Sequence, residues 1–106
     1  MRAFTSFMPR GNLRNIGAVA LNLDPPSVGA NTTGTFTATV PGVLPGDIVF
    51  VNKPTATTGL GVANAFVSAV NTVTIQLMNN TASAIDAPLE RYLILIVRPD
   101  HAANAA

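Results

Sequence analysis

His101 and the five carboxylates Asp24, Asp47, Asp86, Glu90 and Asp100 are the side chains of this sequence best suited to moving a proton near neutral pH. A hydrolase would need one of them to hold and activate a nucleophile. His101 lies beyond Pro99, in a segment with no periodic pattern to keep it in register with a serine and an acid. A glycosidase would need two carboxyl groups facing across a cleft. Asp86 and Glu90 are the only close pair, with Pro88 between them, in a chain with little room for such a cleft. The carboxylates sit in or beside turns, where Asp commonly bonds its own backbone. The chain has no Cys, which removes thiolate metal sites, a cysteine nucleophile and disulfides together. It also lacks the dense acidic loop that calcium requires. Gly59-Leu60-Gly61 lacks the third glycine of a dinucleotide fingerprint and a βαβ unit around it. The expectation is a protein without catalytic residues, metal, cofactor or small-molecule substrate.

The elements that would carry these residues belong to one small domain. The chain has 106 residues, net charge +1, 10% charged residues and 48% apolar residues. Soluble proteins average about 25% charged residues, so this chain cannot coat an ordinary monomer surface with charge. Something else is expected to cover it. The apolar run Tyr92 to Val97 is far shorter than a membrane-spanning helix and has Arg at each end, so no membrane is expected as partner.

Residues 1–16 hold Arg2, Arg10 and Arg14 and no acid, together with Phe4, Phe7, Met8, Leu13 and Ile16. They lack the continuous apolar block of a secretory signal and read as mature sequence. Pro9 and Gly11 break any helical pattern, and the segment reads as an extended basic arm. Arg2, Phe4, Phe7, Arg10, Leu13 and Arg14 are its candidate contacts to a partner surface. A first edge strand or an unstructured start fits the same residues. Three Arg make a thin footprint for nucleic acid, which favours an acidic protein surface as the partner.

From residue 17 the pattern becomes all-β: short segments rich in Val, Ile, Thr and Phe, separated by Gly, Pro, Asn and Asp clusters. Ala18 to Leu23 is the first strand, stopped by Pro25 and Pro26. Thr35 to Val40 alternates, with Phe36, Ala38 and Val40 on the dry side. Pro41-Gly42 and Pro45-Gly46-Asp47 predict tight corners, because Pro presets the first turn position and Gly supplies the positive φ of the second. Ile48 to Val51 is apolar on both faces, so both sides of that strand should be covered. Val62 to Val70 fits a strand or a helical turn, and its flanking Gly and Asn favour the strand. Thr72 to Met78 sets Val73, Ile75 and Leu77 against Thr72, Thr74 and Gln76. Arg91 to Arg98 is apolar on both faces, with Tyr92, Ile94 and Ile96 opposite Leu93, Leu95 and Val97, and belongs at the centre of a sheet or in an interface. The fold class expected is all-β, a small antiparallel β-sandwich or barrel of jelly-roll type. Residues 17–99 would form it, with the arm at 1–16 and a flexible tail at 100–106.

The stretches TATVPGVLPGDIVFVNKP and GLGVANAFVSAVNTVTIQLMNNTASAIDAPLERYLILIVR, between Thr37 and Arg98, are similar to a group of small structural proteins of tailed bacteriophages and prophages. The shared features are the Pro-Gly-Asp corner with its V-x-V strand, the N-T-V-T-I strand and turn, and a closing Y-x-x-x-V-x-R strand. The resemblance covers about sixty residues, and the first sixteen have no counterpart in it. Such proteins look like capsid decoration, or cement, proteins. The resemblance implies a β-sandwich subunit that trimerises on the surface of the virion and bridges major capsid protein subunits. The expected interface between copies is Ile48, Val49, Phe50, Val51, Leu93, Leu95 and Val97. A tail or fibre module for host recognition is the alternative, and a small carbohydrate-active enzyme comes third.

Overall fold

A computed structural model describes residues 5–7 and 13–99 of the chain, with side chains from residue 15 onward. Seven strands and no helix are found among them: β1 (Thr5–Phe7), β2 (Leu13–Leu23), β3 (Thr32–Thr39), β4 (Ile48–Asn52), β5 (Leu60–Ala69), β6 (Thr72–Asn79) and β7 (Glu90–Pro99). They form two antiparallel sheets, one in the order β1-β2-β7-β4 and one in the order β3-β6-β5. Two separate stacked sheets make the domain a sandwich and not a closed barrel.

The central strand of each sheet supplies the core. Val73, Ile75 and Leu77 of β6 and Tyr92, Ile94 and Ile96 of β7 are all fully buried. Alternation places them, since successive side chains leave a strand on opposite faces. Ala38, Val40, Val43, Val49, Leu60 and Val67 fill the space between the sheets.

The two Pro-Gly corners form as the sequence predicts. Gly42 and Gly46 have φ of 97° and 101°, and the amides of Val43 and Asp47 bond back to the carbonyls of Val40 and Leu44. The first corner is also tied to the β5–β6 turn. Asn71, itself at φ 64°, accepts a 2.7 Å bond from the Gly42 amide on its side-chain oxygen and exchanges backbone bonds with Val40 and Val43.

Three expectations change. β2 begins at Leu13, so the domain boundary expected after Ile16 falls inside a strand. The chain from Leu13 pairs with β7, and Thr5–Phe7 pairs with β2 of the same chain. Val62 to Val70 keeps its favoured reading, since Leu60–Ala69 is a strand. Thr74, expected on a wet face, is 7% exposed, since it lies mid-sheet opposite Thr37 and Phe66, and its hydroxyl donates to Ser68 Oγ at 2.6 Å. Ile48 and Phe50, expected to be covered, are open within the single chain.

Candidate interaction surface

The outer face of the four-stranded sheet is built in rows by strand register. Directly opposed residues of an antiparallel pair share a face. The pairings give the rows Ile16–Val97–Ile48, Ala18–Leu95–Phe50, Ala20–Leu93–Asn52 and Asn22–Arg91 across β2, β7 and β4. Phe50 is 58% exposed, Leu93 49%, Ile48 44% and Leu95 38%. Arg91 is the one charged side chain in these rows. A shallow depression of about 280 Å³ lies on this face, lined by Ala18, Phe50, Val51, Asn52, Leu93 and Leu95.

Of the seven residues expected at an interface, Ile48, Phe50, Leu93, Leu95 and Val97 share this face. Val49 and Val51 do not. Val49 is buried among core residues and Val51 packs against them, because the alternation that exposes Ile48 and Phe50 turns their neighbours toward the second sheet. Of the expected arm contacts, Arg2, Phe4 and Arg10 lie outside the described residues. Phe7 ends β1, and Leu13 and Arg14 open β2.

The inner face carries charge only at its two ends. The parity that buries Ile94 and Ile96 continues to Glu90 and Arg98, and on the β4 side it continues to Asp47 and Lys53. Each end closes with an ion pair. Arg98 donates from Nε to Asp47 Oδ1 at 2.9 Å and from an Nη to Oδ2 at 2.8 Å, a two-pronged contact, and also reaches the Gly42 carbonyl at 2.8 Å. Asp47 Oδ2 further accepts the Leu44 amide at 3.0 Å, so one carboxylate holds both the corner and the end of β7. The bond to Asp47 raises the Arg98 pKa above its ordinary value against the opposing effect of burial.

At the other end Lys53 Nζ stands 2.8 Å from Glu90 Oε1 and also donates to Thr55 O and Thr57 Oγ1. Tyr92, beside this pair in sequence parity, buries its hydroxyl without a hydrogen-bond partner among the described residues. Burial, then the charges of Glu90 and Asp24, push its pKa up to about 12. Glu90 is thus engaged by Lys53, while Asp86, its candidate catalytic companion, is exposed. His101 and Asp100 lie outside the described residues, and among those described no three His, Asp or Glu side chains converge as metal ligands.

A buried amide ties two loops to the end of β6 in the opposite sheet. Asn79, 1% exposed, donates from Nδ2 toward the carbonyls of Val28 (3.1 Å), Gly29 (3.1 Å) and Ser83 (2.8 Å). Its Oδ1 accepts the Thr81 amide at 2.9 Å and hydroxyl at 2.7 Å. The sequence signals only a turn here. Its Asn-Asn-Thr composition does not tell which Asn turns inward. No family model, curated protein or solved structure was found to match the chain.

Proposed function

We propose that the protein is a virion structural protein without chemistry of its own, a capsid decoration protein that lies on the phage head and bridges major capsid subunits. The observation that carries this reading is the unpartnered apolar outer face of the four-stranded sheet. Taking about 200 Å² for a large apolar side chain fully open to water, Ile48, Phe50, Leu93 and Leu95 together offer roughly 400 Å². Patches of that size on a monomer are often functional. Covering it would contribute on the order of 10 kcal/mol, enough to compete with an association cost of roughly 4–15 kcal/mol. The choice of a capsid as partner rests on the resemblance of residues 37–98 to phage structural proteins. Repetition of the contact over a lattice would turn a modest single-site affinity into firm attachment.

The test is the copy number of the protein in purified particles and the heat resistance of particles that lack it. Hundreds of copies per particle, and normal particles that burst at lower temperature without the protein, are the expected results. Leu95→Lys should abolish attachment to such particles while leaving the fold intact. A handful of copies at the tail would replace this reading with the host-recognition module. Failure of particles to form would assign a shell or scaffold role instead.

A further inference from the structure

We infer that two copies of this chain join edge to edge through β4, continuing the four-stranded sheets of both into one sheet across a two-fold axis at Phe50. The inference is independent of the decoration reading and would hold for any partner of the outer face.

The argument begins with how the sandwich treats its four sheet edges. Natural sheets blunt an edge by keeping it short, bulging it or placing charge or proline on it. β1 has three residues. β5 carries register breaks at Val62/Asn64 and Val67/Ala69. β3 is regular, but its outward positions Thr35, Thr37 and Thr39 are exposed hydroxyl-bearing side chains. β4, five residues long, has no register break, charge or proline, and unlike those of β3 its exposed positions Ile48 and Phe50 are apolar. Its sequence is Ile-Val-Phe-Val-Asn, and among the described residues β7 is its only strand partner. No other described residue hydrogen-bonds its backbone. The charges that bracket it are turned inward, Asp47 to Arg98 and Lys53 to Glu90.

Self-pairing is favoured by the order of residues along this edge. An antiparallel β4–β4 ladder centred on Phe50 sets Phe50 against Phe50 of the second copy, Ile48 against Asn52, and Val49 against Val51. The next step sets Asp47 of each copy opposite Lys53 of the other. Both are held inward, by Arg98 and Glu90, so no like charges meet across the axis, while an aromatic cross-strand pair occupies it. The ladder ends naturally, since Gly46 turns the chain at one end with φ of 101° and Pro54 lacks an amide hydrogen at the other. A two-fold contact needs such self-complementarity, in which i meets j and j meets i. Pairing also places the two apolar outer faces side by side, doubling the surface available to a larger partner.

The absence of Cys from the chain allows a clean test by disulfide mapping. Opposed Cα atoms in an antiparallel ladder are about 4.5–5.5 Å apart, within disulfide reach. Phe50→Cys alone should form a covalent dimer on mild oxidation. Ile48→Cys and Asn52→Cys should cross-link when mixed but not singly, because like positions would lie about 13 Å apart. By sedimentation the unmodified protein should show twice its 10.9 kDa mass. Phe50→Lys, placing two cations at the axis, should raise the dissociation constant at least about tenfold. Leu93→Lys, on the same face but on an inner strand, should leave the dimer intact. Equal loss of dimer in Leu93→Lys would mean that the faces and not the edges meet, and would overturn the inference. A monomer at high micromolar concentration, a trimer, or cross-linking of Ile48→Cys with itself would overturn it as well.

Discussion

Replacing Asn79 by Ala should destabilise the domain by about 3 kcal/mol, although the residue touches no part of the proposed surface. The side chain is 1% exposed and joins three otherwise separate stretches: the end of β6, the loop at Val28–Gly29 and the loop at Thr81–Ser83. Five contacts would be lost, but they do not count equally. The Val28 carbonyl keeps its bond from the Ile85 amide, and Gly29 and Ser83 are exposed enough for water to replace the amide. The two Thr81 contacts at 2.9 and 2.7 Å therefore carry most of the effect. At about 1 kcal/mol per bond, with a further contribution from the buried gap, the sum is about 3 kcal/mol. For a domain of this size that corresponds to a fall in Tm of roughly 10–20 °C by calorimetry. Asn79→Asp sharpens the test. Its carboxylate would face three carbonyl oxygens, so its folded-state pKa should rise above the ordinary carboxylate value. Protonation then favours the fold: the variant's deficit should be small below the unfolded pKa and grow as pH rises through the folded one. A loss under about 1 kcal/mol in Asn79→Ala, or a deficit in Asn79→Asp that does not change with pH, would refute the assignment of this amide as the tie between the loops.

Tyr92→Phe should leave stability unchanged or raise it by about 1 kcal/mol, since it removes a buried hydroxyl that has no partner among the described residues; thermal unfolding of the two proteins decides this. Tyr92 is the only tyrosine, so its absorbance titration should show ionisation near pH 12 in the folded protein. With an unfolded value near 10.0, stability should be insensitive to this group below pH 10 and decline between 10 and 12, as the unfolded state releases the proton first. Arg98→Met should lower stability by about 2 kcal/mol by chemical denaturation, because it leaves Asp47 largely buried without its cation. Arg98→Lys should recover only part of this, since one ammonium cannot span both carboxylate oxygens.

Periodicity is a local property, and where one face of a strand is polar it is sufficient to orient that strand. Phe36, Ala38 and Val40 in β3 and its following corner, and Val73, Ile75 and Leu77 in β6, point where their alternation with Thr predicts. The Pro-Gly corners are likewise local, since the φ required at Gly42 and Gly46 depends on neighbouring residues alone. The sequence by itself therefore determined an all-β domain, the ends of β3 to β7 to within about three residues, and the orientation of β3 and β6.

Ile48 to Val51 and Tyr92 to Val97 are apolar on both sides, and no local rule chooses between Val49 and Phe50 or between Ile94 and Leu95. The choice belongs to the stacking of the sheets, which buries Val49, Ile94 and Ile96 and leaves Phe50, Leu93 and Leu95 open to water. The same stacking set Asp47 against Arg98, 51 residues apart, and drew Asn79 rather than Asn80 into the interior. Such pairings depend on which strands become neighbours, and strand order is fixed by the total burial the chain can reach. That is why only the tertiary structure separated the core from the candidate surface.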